Sequence, residues 1–343
     1  VLAWRLLRGY AGNRAATDLA SGARVTVESS GTYKSYVGMA LDTINYAHRL
    51  HLVYRQGASH VNPGVDFGVV KYRTSDDYGA TWSASTTIIS AASIDLRDPN
   101  IACLSTGRLV VGYDYSPEST YWCQPRVIYS DDGGATWSSP YTVVSSGMTY
   151  ECAVTSQMVE LADGTVLLPA FGINALSDTY YFAVLFKSSD HGATWGGQTT
   201  IASSGSYSYG EPQFRYVSAG QLVCFMDSST DAQIWRSVST DGGATWSAPQ
   251  SVLVAGGRSD WVEYWPNAYA MWCRAAPLPS SDARWTVSFD SGLTWAALRD
   301  TDGPTDLYEY GAPVVVGISV IIVYSLEASS SEADLYCRTY SPS

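Results

Sequence analysis

SDDYGATW at residues 75–82, SDDGGATW at 130–137, SSDHGATW at 188–195, STDGGATW at 239–246 and SFDSGLTW at 288–295 are five copies of one pattern, S-x-D-x-G-x-T-W. They recur 49 to 58 residues apart, about the length of one four-stranded unit of a repeating β structure. The residue types explain the element. A short Asp side chain (Asp77, Asp132, Asp190, Asp241, Asp290) accepts hydrogen bonds from backbone N–H groups a few residues on, Gly takes a positive-φ corner, and Trp packs back between strands. One carboxylate per loop falls short of the roughly six to eight oxygens that Ca²⁺ takes, so the boxes read as structural clasps with no metal or cofactor attached.

Around each box the chain repeats a strand, a Gly- or Asn-containing turn and two more strands. The second copy runs through 100–104, Thr106-Gly107, 108–113 and 125–129; the third through 157–161, Asp163-Gly164, 165–169 and 182–187; the fourth through 213–217, Ala219-Gly220, 221–226 and 233–238. The apolar run from Pro313 to Tyr324 is β-branched around Gly317. It reads as two buried strands, being too short to cross a membrane as a helix. The expectation is an all-β, six-bladed β-propeller of four-stranded antiparallel blades with five Asp boxes, spanning 1–343 as one domain. Its blades lie near 35–90, 97–145, 155–203, 211–253, 262–299 and 310–343. The last has no box and borrows its fourth strand from the segment near Arg24–Glu28, because an open ring would leave two strand edges exposed.

Composition agrees with this and excludes several functions. Apolar residues are 46%, aromatics 13% and charged residues 15% of 343 positions, which describes a folded, Tyr/Ser/Thr/Gly-rich chain. A formal charge of −12 without any Lys/Arg run argues against nucleic acid as a partner. None of the six cysteines forms CxxC; Cys103, Cys224, Cys273 and Cys337 sit in strand-like runs as small buried hydrophobes, and Cys123–Cys152 is the one pair to examine for a disulfide. The chain begins at Val1 with no visible signal peptide, and its expected setting is extracellular, cell-surface or virion-associated. The oligomeric state is not readable from the sequence.

The five boxes and the strands around them resemble the sialidase superfamily over nearly the whole chain. That resemblance implies an active site where the inner strands converge, and a glycan as partner. The family's Tyr nucleophile opens the inner strand of the last blade, where Tyr310 stands in EYGAP; its Glu partner opens the fourth blade, as Glu211 does in YGEPQF. RDPN supplies Arg97 and Asp98 at the pocket floor. The loop RQGASHVNPGVDF offers Asp66, with His60 as the second titratable group, where the family carries its acid/base Asp. Of three carboxylate-gripping arginines, Arg284 in DARWTVSFD matches. KSYVG leaves only Lys34 and CFMD puts Asp227 where the others belong, while Arg55 in VYRQG and Arg274 in WCRAA end second strands and could re-form a cationic cluster.

Bland readings exist for each residue: a Tyr hydroxyl and a Glu satisfied at strand ends, a turn carboxylate, a bystander loop His, an ion pair at a strand start. Three function classes follow. The first is a sialidase-like retaining glycosidase on an acidic or deoxy sugar, with Tyr310 and Glu211 within hydrogen-bonding reach of each other. The second is a polysaccharide lyase using His60 and a Tyr. The third is a glycan-binding propeller without catalysis.

Overall fold

A computed structural model describes residues 19–29, 31–60, 66–117, 122–144, 148, 151–175, 177–255, 257–274, 283–300, 307–329 and 331–342. The chain start at Val1, loop residues 61–65 and the expected blade ends at 145 and 343 lie outside the described residues.

After β1 (Leu19–Glu28), β2 (Tyr33–Asp42), β3 (Arg49–Gly57), β4 (Val69–Ser75) and β5 (Thr86–Ile89) pair in order. A second sheet holds β6 (Ile94–Cys103), β7 (Leu109–Pro117), β8 (Gln124–Ser130) and β9 (Tyr141–Thr142). In the third, the innermost strand is split into β10 (Glu151–Val154) and β11 (Val159–Glu160), both paired with β12 (Val166–Ile173), which β13 (Phe182–Ser188) and β14 (Gly196–Ala202) follow. Next come β15 (Gly210–Tyr216), β16 (Leu222–Ser228), β17 (Gln233–Ser239) and β18 (Gln250–Val254). Then follow β19 (Gly257–Trp265), β20 (Ala268–Arg274), β21 (Ala283–Ser288) and β22 (Arg299–Asp300). The chain ends in β23 (Leu307–Val316), β24 (Ser319–Ser329) and β25 (Glu332–Pro342). Among the described residues, this last group is continuous with β2–β5 only through one parallel bridge, Tyr33 to Ala333. The fold is an all-β propeller of small antiparallel sheets.

The first strands of the sheets form the inner wall. β2 packs against β6 and β23, β6 against β10, the third sheet's β11 and β12 against β15, β15 against β19, and β19 against β23. Buried apolar side chains fall into six clusters, each filled from two consecutive four-stranded groups. One, for example, joins Ala40, Val53 and Val70 to Ile101, Val111 and Ile128. Each fully buried Val, Leu or Ile contributes about 1.5–3 kcal/mol, so adhesion between neighbouring sheets holds the ring.

All five boxes close identically. In the first, Thr81 N–H and the Ser75 hydroxyl donate to Asp77 Oδ1 (each 2.8 Å), Thr81 Oγ1 donates to Oδ2 (2.5 Å), and Gly79 N–H donates to Ser75 Oγ (2.8 Å). The Ser, whose part the motif reading missed, thus bridges the Asp to the Gly corner. The corner itself needs two successive left-handed residues: the box glycines have φ of 78° to 92°, and the preceding position is Gly133 or Gly242 twice and otherwise Tyr78, His191 or Ser291 at 56° to 63°. Each box Trp packs into the cluster between its own sheet and the preceding one.

The ends of the chain meet as one structural unit. β1 lies antiparallel on β25, with Val25 opposite Cys337. From the neighbouring sheet, Arg73 Nη1 donates to Val27 O (2.8 Å), Tyr54 Oη donates to Glu28 (3.2 Å), and Arg73 also pairs with Glu28. Lys34, the one cation near the missing Arg position of KSYVG, is fully buried in this seam, bonded to Thr32 O (2.9 Å), Ala333 O (3.4 Å) and Asp334 (3.4 Å). All six cysteines are free thiols, including Cys123 and Cys152. Among the described residues no helix is long and apolar enough to cross a membrane.

Candidate active site

The inner strands are interrupted at equivalent places. The pairing register slips between Ser35 and Gly38 in β2, Arg97 and Asn100 in β6, Gly210 and Gln213 in β15, Gly257 and Ser259 in β19, and Tyr308 and Gly311 in β23. Such bulges re-aim a side chain out of the pleat. The residues they carry are Tyr36, Asp98, Glu211, Arg258 and Tyr310. The first four have φ of 54°, 48°, 44° and 41°, a strained region for non-glycine residues that costs of order 1–3 kcal/mol each and gathers at functional sites. Across from the residue at the start of the first four bulges, the second strands place Arg55, Asp114, Asp227 and Arg274.

Among them lies a cavity of about 150 Å³ lined by Tyr36, Arg97, Asp98, Asp114, Glu151 and Thr155, with Cys123, Ala153, Phe171, Glu211 and Tyr310; Arg55, Asp227, Arg258 and Arg274 do not line it. His60 stands beside it. Its Nε2 lies 2.8 Å from Tyr36 Oη and 3.2 Å from Tyr310 Oη, and the two tyrosine rings are 4.2 Å apart. Burial, with Arg274, Arg55 and Arg97 adding to it, pushes the His60 pKa down to about 4, so its ring is neutral near pH 7 and a weaker base than a free imidazole. Burial and the neighbouring Tyr36 hold the Tyr310 hydroxyl well above its ordinary value.

Arg258, which the sequence reading did not single out, organises the other side. It is 3% exposed, its guanidinium lies 4.5 Å from the Tyr310 ring centroid, and it pairs with Glu211 (3.5 Å) and Asp260 (3.4 Å). Arg274 lies 5.6 Å from the same ring. Asp98 is pushed up to about 7 by burial, with Glu211 adding and Arg258 and Arg97 opposing. Asp227 is likewise raised to about 7 by burial and Glu211. Asp114, raised by burial and Asp98, and Glu151, raised by burial against the Tyr181 hydroxyl, also sit above the usual carboxylate range.

Several expected residues lie elsewhere. Asp66 was expected as a proton donor, but its carboxylate accepts from Ala58 N (2.8 Å), Ser59 N (2.8 Å) and Arg55 Nη2 (2.9 Å). Burial raises its pKa, but those N–H groups and Arg55 outweigh burial and lower it overall; it anchors the loop that presents His60. Arg55 is fully buried between Asp66 and Asp95 (2.8 Å) and donates to Ser59 O, so it is committed to the protein and not to a ligand. Gly68 makes room for it: a Cβ there would sit 2.3 Å from Arg55 Nε. Arg284 lies on a third strand, ion-paired to Asp300 (2.6 Å), and lines neither this cavity nor the axial one described below. Tyr310 and Glu211 share the cavity, but Arg258 lies against both and the Tyr310 hydroxyl meets His60. The missed residues, Tyr36 and Arg258, had a positional signal. Each stands at an inner-strand bulge as Asp98, Glu211 and Tyr310 do, and Tyr36 is the Y of the KSYVG segment in which an Arg was sought.

A second, axial cavity of about 20 Å³, sharing Thr155 with the first, is lined by Gly38, Asn100, Gln213, Arg215, Asp260 and Gly311 among others. It has room for about one water. Burial pushes Arg215 down to about 10.

This fold and site define an Asp-box propeller with an acid-rich pocket built on inner-strand bulges. A family model described as BNR repeat-like domain matches residues 69–267, and the chain belongs to that family. A sialidase of Clostridium perfringens is 22% identical over 145 residues, 35% of this chain and 38% of that relative's length. Among solved structures, a protein of unknown function from Dyadobacter fermentans superposes with a TM-score of 0.80 at 17% identity, covering 95% of this chain and 99% of its own. The Hadza microbial sialidase Hz136 gives 0.74 at 18% identity, covering 90% and 65%. The Ruminococcus gnavus intramolecular trans-sialidase gives 0.73 at 13%, covering 92% and 96%. These structural likenesses establish the fold, a propeller of the kind those sialidases have.

Proposed function

We propose that the protein is a six-bladed, sialidase-like retaining glycoside hydrolase whose nucleophile is Tyr310. The eight-stranded sheet counts as two blades, β2–β5 and β23–β25 with β1, because a single bridge joins them. The observation that carries the activity is the contact of the Tyr310 hydroxyl with a neutral His60, 3.2 Å away, at an acid-rich cavity.

The steps balance as follows. Tyr310 Oη attacks the anomeric carbon as its proton passes to His60 Nε2. The glycosidic C–O bond breaks, and the leaving oxygen takes the proton of Asp98, whose raised pKa keeps it protonated below about 7. Water then enters, Asp98 takes its proton, the hydroxide displaces Tyr310 from the sugar, and His60 returns the first proton. A buried phenol is a poor nucleophile unless a base acts as it attacks. Glu211 orients Arg258, and Arg258 and Arg274 offset charge developing on the phenolate. The acidic sugar that the resemblance implies is set aside, because the cavity is already rich in carboxylates.

The experiment is hydrolysis of an aryl glycoside panel followed by NMR of the first-formed anomer, with mass spectrometry of a 2-fluoro-sugar adduct. Retention with label on Tyr310 is expected; inversion, or label elsewhere, overturns the mechanism. A lyase reading draws on the Tyr36–His60–Tyr310 group. It requires a uronate, and an absorbing unsaturated product would establish it.

A further inference from the structure

We propose that this cavity recognises an uncharged sugar through its hydroxyl groups and discriminates against sialic and uronic acids; the proposal deepens the glycosidase reading and rests on it. Four carboxyl groups line the cavity, Asp98, Asp114, Glu151 and Glu211, against one lining cation, Arg97. That cation is engaged: Arg97 Nε bonds Asp95 Oδ2 at 2.5 Å. Arg55 is held by Asp66 and Asp95, and Arg258 by Glu211 and Asp260. A ligand carboxylate entering here would crowd against four carboxyl groups in a poorly solvated pocket whose one lining guanidinium already bonds Asp95.

A sugar hydroxyl meets the opposite situation. It both donates and accepts, and the pocket offers both partners: burial raises Asp114 and Glu151 above their ordinary values and lifts Asp98 to about 7, so Asp98 is divided between its protonated and ionised forms near neutral pH. Thr155 supplies an independent sign of a missing polar ligand. Its Oγ1 is without a hydrogen-bond partner although the residue is only 5% exposed and lines the cavity. Phe171, paired with Tyr181 at 5.4 Å between centroids, gives the same wall an apolar surface suited to a sugar's C–H face. Among the described residues no group of three or more His, Cys, Asp or Glu side chains is disposed to hold a metal ion.

The test is equilibrium binding to Tyr310→Phe, which reads recognition without requiring turnover and so separates failure of this proposal from failure of the mechanism. Calorimetry at pH 7 would compare methyl glycosides of neutral hexoses and deoxyhexoses with the matching uronates and amino sugars, and with methyl sialoside. At least one neutral glycoside should bind about tenfold or more tighter than its uronate and than sialoside. Glu151→Gln, the same shape without the charge, should weaken that neutral ligand while narrowing its advantage over the uronate. Tighter binding of a uronate, a sialoside or an amino sugar than of every neutral glycoside would overturn the proposal. So would failure of all neutral glycosides to bind, or a Glu151→Gln protein with unchanged ligand preferences.

Discussion

Arg258 lies across the ring of Tyr310, its guanidinium carbon 4.5 Å from the centroid, while its Nη1 is 3.5 Å from Glu211. One planar cation therefore touches both side chains. Lys keeps the charge but not the fork or the stacking face. Arg258→Lys should fold and should lower kcat about 10- to 100-fold with KM little changed, as expected when a preorganised donor is displaced. Steady-state kinetics checks this, and unchanged kcat would make Arg258 a purely structural ion-pair partner.

Tyr310→Phe removes one hydroxyl and leaves the ring in its cluster, so the thermal midpoint should barely move. Turnover should fall on the order of a thousandfold or more. His60→Gln should fall comparably, and the double variant should be little worse than the worse single one, because members of one catalytic unit are non-additive. Additive losses in the double variant would show that the 3.2 Å contact is not part of the chemistry.

Much of this was legible in the sequence, for physical reasons that differ by residue. The boxes were readable because Asp, Gly and Trp have fixed duties in one local hairpin. Tyr310, Glu211 and Asp98 were readable because each opens an inner strand. Arg258 opens one too, but GRSD looks like an ordinary loop until register shows a bulge between Gly257 and Ser259. Asp66 misled for the converse reason: a carboxylate in the right loop says nothing about whether Arg55 and two N–H groups already hold it. Charge balance among residues drawn from different sheets has no local signature at all.

The pH dependence of stability follows from two opposite shifts. Asp132 is lowered from 3.8 to about 2, chiefly by the Thr136 hydroxyl and N–H. Its contribution is present above its unfolded pKa and lost as pH falls through about 2. Asp98 and Asp227 are raised from 3.8 to about 7, so theirs is full below about 4 and is lost as pH rises through about 7. The thermal midpoint should therefore peak near pH 4, fall between about pH 4 and 7, and level off above that. Asp98→Asn should flatten the alkaline side of that curve and, with the proton donor gone, abolish the fall of kcat/KM above about pH 7. An unchanged alkaline limb would remove Asp98 from that role.

The closing strand should matter to chemistry as well as to stability. Val27 of β1, 5% exposed, packs in the same cluster as Tyr36 and Tyr310, and Glu28 is held by Tyr54 and Arg73 of the neighbouring sheet. A protein starting at residue 29, compared with one starting at residue 19, loses these contacts and uncovers the full edge of β25. Bare edges recruit other chains. The shorter protein should therefore melt at least about 5 °C lower, associate in a concentration-dependent way by light scattering, and lose activity per folded molecule because the wall behind both tyrosines has loosened. Restoring the segment as a separate peptide of residues 19–29 should recover part of the midpoint and part of the activity together. A monomeric short form with an unchanged midpoint would mean that the six apolar clusters hold the ring without the strand. Recovery of the midpoint without activity would separate ring closure from the geometry of Tyr36 and Tyr310.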